Sequence, residues 1–392
     1  MDLSEGPEYK RFRGEVRAFL DRHWQPDRAA DDDYLAKFRR DAVAAGLLYR
    51  GVPESYGGSG QAPDPLRAQV VREEFGRVRA PLEVGGVGTA LLVPTLLQWG
   101  TPAQREQFVP RTVTGELRWC QGYSEPDAGS DLEGLRTTAV VDGGEWVING
   151  QKVWTSNSMR ADWMFLLART EPDQPRRAGL SYLLLDMHQP GVEVRPLRQL
   201  TGSSEFSEVF LTDARTPLGL LVGERGQGWA VSRTTLAAER STLAAPETSA
   251  ALFASLVKLT RRRERNGRPA IDDPGVRSRL VQLHGWIEAQ RCSALIQASP
   301  GARSEGPQRL ELLNKLLHTE IARGVSEIAL DVLGPAGLLD PRATTRPGDE
   351  RWLNQFFGSL GVAIAGGTSN IQRNIIAERG LGLPRDAQGA QP

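Results

Sequence analysis

The stretch 119–169 constrains the fold more than any other part of the chain. It opens Trp119-Cys-Gln-Gly-Tyr-Ser-Glu-Pro-Asp-Ala-Gly-Ser-Asp131, a turn-rich run in which hydroxyls and backbone amides gather around Ser124 and Ser130. A β-branched segment follows at 137–141, then the turn signal Asp142-Gly-Gly144 and an alternating 145–148. Asn149-Gly150 reads as a second hairpin turn. A ring and a further hydroxyl, Trp154 and Ser156, come directly after. Residue types alone leave two readings open. Either Trp154 fills a sheet core while Ser124 and Ser130 cap turns, or ring and donors meet a flat, polar, heteroaromatic ligand.

Short strands continue at 162–168, 180–186, 192–197 and 207–211, so the block to about Gly228 is expected to be an antiparallel barrel or sandwich. No strand-to-helix Gly-x-Gly-x-x-Gly occurs, which argues against a Rossmann dinucleotide domain. Helical patterns flank the block. Phe12, Val16, Phe19 and Leu20 sit at helical spacing between charges; 33–45 stops at Gly46; 66–75 repeats the pattern, and 89–99 is apolar enough for a buried helix. The loop Gly51-Val-Pro-Glu-Ser-Tyr-Gly-Gly-Ser-Gly60 suits either a connector or a close approach to a ligand, and it lacks the lysine of a phosphate-binding loop. Beyond Trp229, 232–257 predicts one long helix, with others at 276–296 and 310–333. The expected class is therefore α+β and multidomain: a helical domain at 1–118, a β domain at 119–228 and a helical bundle at 229–392, with a loose polar tail after Pro384.

With 392 residues there is room for two or three domains and a sizeable core. Lys plus Arg equals Asp plus Glu at 48 each, so no bulk field favours nucleic acid or an anionic membrane surface. Cys120 and Cys292 have no spacing for a metal or disulfide framework, and no metal site is expected. No apolar run approaches the roughly 20 residues that span a bilayer. The N-terminal segment is amphipathic and lacks the apolar core of a signal peptide. A cytoplasmic enzyme or enzyme subunit is expected.

Several motifs, in order along nearly the whole chain, carry a family likeness. Tyr-Ser-Glu-Pro-Asp-Ala-Gly-Ser-Asp at 123–131 resembles the first signature of the acyl-CoA dehydrogenases, and Ile-Asn-Gly-Gln-Lys-Val-Trp-Thr-Ser-Asn at 148–157 looks like their flavin-binding strand. Pro-Glu-Ser-Tyr-Gly-Gly-Ser-Gly at 53–60, Ser-Glu-Val-Phe-Leu-Thr-Asp at 207–213, Gly223-Glu-Arg-Gly-Gln-Gly-Trp229 and Gly-Gly-Thr-Ser-Asn-Ile-Gln-Arg-Asn at 366–374 are similar to further landmarks. The resemblance implies an N-terminal helical domain, a central β-barrel and a C-terminal four-helix bundle. It implies bound FAD, oxidation of an acyl-CoA to its trans-2-enoyl thioester, electron-transfer flavoprotein as acceptor, a role in lipid metabolism, and a homotetramer or heterotetramer.

In that chemistry a proton leaves Cα while a hydride leaves Cβ for flavin N5. The proton needs a carboxylate in a dry pocket, where desolvation raises its pKa. The enolate oxygen needs donors, which the family draws from a flavin ribityl hydroxyl and a backbone amide. Many relatives carry the base directly before Gly-Thr-Ser, where this chain has Gly366. Another branch, resembling isovaleryl- and long-chain-type enzymes, carries it before an arginine on the first helix of the C-terminal bundle, here Leu236-Ala-Ala-Glu239-Arg240. Glu239, among Leu236, Ala237, Ala238, Leu243 and Ala244, is the expected base. By the same matching Gln121, Tyr123 and Ser124 line the flavin edge, Trp154 faces the isoalloxazine and Ser156 bonds near N5. Arg263, Thr368 and Asn370 reach the FAD phosphate or ribose, while Ser130 and Arg240 touch the acyl-CoA. An N-cap explains Thr368 equally well.

Three departures stand out. Asn266 replaces a phenylalanine in the run Arg263-Glu-Arg-Asn-Gly267, Asp331 replaces a glutamine, and Asp127 replaces a glycine. They put cross-subunit FAD contacts in doubt and fit pairing with a non-identical partner, as in heteromeric relatives resembling sterol side-chain dehydrogenases. Other readings on the same fold are an acyl carrier protein-linked dehydrogenase, a flavin monooxygenase and a non-catalytic subunit. Glu239 argues against the last two.

Overall fold

Helix α1 (Pro7–His23) starts on a proline, which suits a first helical position, and buries Phe12, Val16 and Leu20 at four-residue spacing. Helix α2 (Asp32–Ala44) is capped by Asp31, whose carboxylate accepts from the Tyr34 amide at 3.0 Å. Helix α3 (Pro65–Val78) is capped in the same way by Asp64. A π turn, Gly88–Leu92, leads into α4 (Val93–Trp99), and α5 (Pro102–Val113) begins with a reciprocal capping box between Thr101 and Gln104. In this computed structural model the described residues are 6–243, 246–298, 308–338 and 350–384; the tail after Pro384 lies outside them.

The chain forms two compact units, Pro7–Glu239 and Arg240–Pro392 with Met1–Gly6. In the first, the helices share a core with a β domain of eight strands: β1 (Trp119–Gly122), β2 (Thr138–Asp142), β3 (Glu145–Ser156), β4 (Trp163–Arg169), β5 (Leu180–Asp186), β6 (Val192–Leu197), β7 (Phe206–Pro217) and β8 (Leu221–Val222). The order is β6-β7-β3-β2-β4-β5-β8, with β1 beside β4. Pairing is antiparallel except for β1 and β2 with β4, which run parallel. The sheet curls, since the Thr216 hydroxyl on β7 donates to the Leu184 carbonyl on β5 at 2.6 Å. Its inner face is a second apolar cluster with Ala139, Ile148, Met164, Leu183 and Leu185.

Two expectations are corrected here. Asn149-Gly150 is no hairpin turn: β3 runs straight through it, and the turn is made by Gly143 and Gly144. The pair instead marks a register shift between β3 and β7, where the Asn149 amide donates to Asp213. The single helix expected over 232–257 is two, α6 (Gly228–Leu243) and α7 (Pro246–Arg262). Pro246 has no amide hydrogen to continue a helix and opens the next one instead.

In the second unit α9 (Gln308–Leu333) packs on α7, α8 (Pro274–Ala298) and α10 (Glu350–Val362), around Leu256, Leu259, Ile287, Ile321, Val325 and Trp352. Helix α11 (Ser369–Ile375) follows a left-handed pair, Gly366 and Gly367. Between α7 and α8, two-residue strands β9 (Glu264–Arg265) and β10 (Arg268–Pro269) flank a turn in which Asn266 takes a left-handed φ of 55°, a conformation asparagine tolerates better than phenylalanine does.

Candidate active site

The first unit brings three predicted elements into one seam. Strand β1 delivers Gln121, the loop after it delivers Ser124, and the far end of β3 delivers Trp154 and Ser156. The Val153 amide donates to the Ser124 carbonyl at 2.9 Å. One residue earlier, the fully buried Lys152 Nζ donates to Glu125 at 2.9 Å and to the Tyr123 carbonyl at 3.2 Å. Glu125 in turn accepts the amides of Arg136 and Thr137 at 2.6 and 2.9 Å. The Lys152 ammonium and these amides hold the Glu125 carboxyl below its usual range, although burial alone would raise it. Loop and strand are thereby locked together across residues 123–125 and 152–153.

The lock presents Trp154. Between Lys152 and Thr155 the pairing with β7 shifts register, and Trp154 takes a left-handed φ of 59°. It is 61% exposed, touching Phe206 edge-on with ring centroids 6.1 Å apart. The alternative in which Trp154 fills a sheet core is therefore wrong. A bulky residue held in a strained conformation with its ring in solvent is an arrangement that folding alone does not select. Gln121, Ser124 and Ser156 are half-buried around the seam, and Ser130 is exposed beside the Asp131–Arg176 ion pair.

Tyr123 is placed differently from expectation. Its ring is buried edge-on against Phe165 and Tyr182, so only its main chain is left for a ligand at the seam. Asp127 is exposed and faces Arg136 at 3.8 Å. The glycine-rich loop at 51–60 closes on itself: Gly58, Ser59, Gly60 and Gln61 donate their amides to carbonyls of Pro53, Tyr49, Val52 and Arg50. It is a self-bonded connector.

Helix α6 carries the expected base. At its first residue, Gly228, a Cβ would come within 2.5 Å of the Ser181 backbone, so the glycine lets α6 press directly on β5. Two turns on, the buried Thr235 hydroxyl lies 2.9 Å from that of Thr95 on α4 and 3.4 Å from that of Tyr182 on β5, while the Trp99 indole donates to Thr234 at 2.9 Å. Leu236 and Ala238 pack on the first unit's core. Glu239, one turn past Thr235, is half-buried, and its negative charge acts on the Tyr123 phenol. Leu243 and Arg240 extend the helix with side chains outside the described residues, as is all of Ala244.

The remaining predicted positions belong to the second unit. Arg263 is half-buried at the end of α7, where its amide donates to the Leu259 carbonyl. Thr368 is an N-cap, accepting the Ile371 amide at 3.3 Å, and Asn370 is exposed and bonds Arg373. Gly366 has φ 64°, so the vacancy there is conformational as well as chemical: an L-residue is strained at that position. Asp331 pairs with Arg265 at 3.1 Å and Arg279 at 2.9 Å, so its charge is offset within the chain. No cluster of metal-ligating side chains occurs among the described residues, and no helix among them is long and apolar enough to cross a membrane. Both cysteines are free, and burial pushes the Cys120 thiol far up, leaving it inert.

Sequence reasoning passed over the Lys152–Glu125 pair and the hydroxyl cluster of Thr95, Tyr182 and Thr235. The first left a signal, because a lysine amid the apolar residues of a central strand needs a buried counter-charge. The second left none, since threonines on separated helices show no pattern.

This three-part architecture, with a ring-bearing bulge beside a hydroxyl loop and a carboxylate on α6, is that of a flavoprotein dehydrogenase. The acyl-CoA dehydrogenase N-terminal, middle and C-terminal domain families match residues 6–116, 120–214 and 226–381. The chain belongs to the acyl-CoA dehydrogenase family, whose members typically bind FAD. It is 44% identical to the acyl-CoA dehydrogenase IpdE1 of Mycobacterium tuberculosis over 350 residues, 88% of this chain and 87% of that one. Among solved structures it is similar to the ChsE4–ChsE5 complex of the same organism, with TM-score 0.79, 29% identity, and coverage of 98% and 100%. It is also similar to the steroid acyl-CoA dehydrogenase Tcur3481–Tcur3483, with TM-score 0.77, 27% identity, and coverage of 98% and 100%.

Proposed function

We propose that this acyl-CoA dehydrogenase holds FAD along the β1–β3 seam and oxidises the thioester of a bulky, steroid-type acyl group, with Glu239 as the base. When bound, FAD accepts the hydride that leaves Cβ. The side chains around the seam suit such a ligand: Trp154 offers an open ring face, Ser124 and Ser156 offer hydroxyls, and the edge of β1 offers Gln121. By the family likeness alone Asn370, Thr368 and Arg263 are assigned to an FAD phosphate or ribose, and Ser130 and Arg240 to the acyl-CoA.

The observation that carries the reading is Glu239. It is a half-buried carboxylate on a helix pressed against β5, while the alternative base position is a left-handed glycine. From there the carboxylate would take the proton from Cα of the thioester on an Oε atom. The steroid-type substrate and a non-identical partner subunit are supported by the likeness to a steroid acyl-CoA dehydrogenase and to the ChsE4–ChsE5 complex. Electron-transfer flavoprotein is the proposed acceptor.

The test uses the chain purified alone and co-expressed with candidate partner subunits, with flavin measured per chain. Anaerobic bleaching of the flavin spectrum is then followed with steroid side-chain thioesters and with straight-chain ones. Faster bleaching by the steroid thioesters supports the reading. A flavin-loaded preparation that no thioester bleaches overturns it.

A further inference from the structure

The phenolic hydroxyl of Tyr123 is fully buried and forms no hydrogen bond of normal geometry among the described residues, although the hydroxyls of Tyr182 and Thr235 lie beside it. Burying a donor without a partner costs stability. The ring is already packed on Phe165 and Tyr182, and a phenylalanine would fill the same space. Folding alone therefore does not account for the hydroxyl.

Its surroundings show what it faces. Thr95 donates to the Leu91 carbonyl at 2.7 Å and pairs with Thr235, which also contacts Tyr182, so these hydroxyls already have partners. Tyr182 stacks on Phe165, with planes 3° apart. Thr235 and Glu239 are four residues apart on α6 and share one face, and the carboxylate is the next polar group along it. Groups around the phenol that carry or acquire charge are Tyr182 on β5 and Glu239 on α6; behind the Tyr123 carbonyl lies the mutually neutralised Lys152–Glu125 pair. Burial first, then Tyr182 and Glu239 among lesser contributions, push the Tyr123 phenol well above its ordinary pKa, so it keeps its proton and remains a donor.

We propose that Tyr123 is a positioning residue for Glu239, holding its O–H for the carboxylate on α6, with the Thr95–Thr235 hydroxyl pair fixing that helix beside the phenol. This rests on Glu239 being the base. The hydroxyl orients the carboxylate and favours its charged form, so that it is ready to take a proton.

The test compares Tyr123→Phe, Tyr182→Phe and Glu239→Gln in the flavin-loaded enzyme. Tyr123→Phe is expected to keep or raise Tm and to keep its flavin. Its kcat is expected to fall roughly 10-fold or more with KM little changed. The acid limb of its kcat profile moves to higher pH, because the carboxylate has lost a donor. Tyr182→Phe, which leaves the phenol donor of Tyr123 in place, is expected to leave that acid limb where it is. Should Glu239→Gln be inactive while Tyr123→Phe matches wild type in kcat and pH profile, the positioning role is overturned and the base stands. A Tyr123→Phe enzyme that loses Tm or flavin in step with kcat also overturns it, as does an acid limb that Tyr182→Phe moves equally. If Glu239→Gln turns over at the wild-type rate, the base assignment falls and takes this proposal with it.

Discussion

Lys152 Nζ lies 2.9 Å from Glu125 Oε1, with the lysine wholly buried and the glutamate 8% exposed. This contact ties the loop at 123–125 to the strand that carries Trp154. Removing one member of a buried pair leaves an uncompensated charge, so Lys152→Met is expected to lose about 3 kcal/mol, within the usual range for such breaks. Urea unfolding measures it. The double variant Glu125→Gln/Lys152→Met, with no charge left to strand, is expected to recover much of the loss. A single variant as stable as wild type contradicts the lock.

Trp154 tests the strained bulge. Glycine relieves a left-handed strain of about 1–2 kcal/mol and costs roughly 0.5–1 kcal/mol of backbone entropy, so Trp154→Gly should leave stability unchanged or raise it by at most about 1.5 kcal/mol. The open ring face is lost at the same time. Flavin titration of the apoprotein is expected to show affinity lowered by about 10-fold, the scale of one lost ring contact. Large destabilisation with unchanged flavin affinity would mean that the ring serves the fold.

The N-terminal helices hold a cluster whose pH response has a definite sign. Glu74 is buried, with Arg13, Arg17 and Arg77 at 2.8–2.9 Å. Burial alone would raise its pKa, but hydrogen bonds from Arg17, Arg13 and Arg77 outweigh it and lower it to about 2. A depressed carboxylate adds stability that is present above the unfolded pKa of 4.5 and is lost as pH falls toward 2. The shift corresponds to about 3 kcal/mol. Glu74→Gln should flatten the acid limb of unfolding free energy across that window, and an unchanged acid limb would exclude Glu74 as its source.

The buried His318 shows the opposite chemistry with the same direction in pH. Burial and then Lys315 lower its pKa below 6.5, and its Nδ1 lies 3.1 Å from the Ser249 hydroxyl. The neutral ring is the folded form, so stability is present above the unfolded pKa and declines as pH drops through the lower folded value. His318→Gln should remove this step, which sets in as pH falls below 6.5, from thermal melts, and a step that survives must come from another group.

The helix–strand–helix order was legible because periodicity reports burial, and burial decided these elements. Phe12, Val16 and Leu20 mark α1, and the β-branched run before Asp142 marks β2. Asn149-Gly150 misled because a favourable turn dipeptide yields to tertiary pairing: β3 has β2 on one side and β7 on the other, and it absorbs the pair as an irregularity. At 232–257 the apolar spacing continues across Pro246, whose ring ends one helix and starts another without disturbing the pattern. In the proposed site, Trp154 and Glu239 are legible only through motif resemblance. Thr95 and Tyr182 are not, because their meeting with Thr235 depends on how closely α6 approaches β5 at Gly228, a distance that no residue spacing encodes.

The proposed role of Glu239 in removing the α-proton is tested by anaerobic flavin bleaching with a substrate thioester in wild type and Glu239→Gln, loaded with flavin to the same level. Loss of a general base costs about 10²–10⁴ in rate, so the variant should bleach slower by at least the lower figure while its flavin spectrum and Tm stay as in wild type. Bleaching at the wild-type rate would show that another group takes the proton.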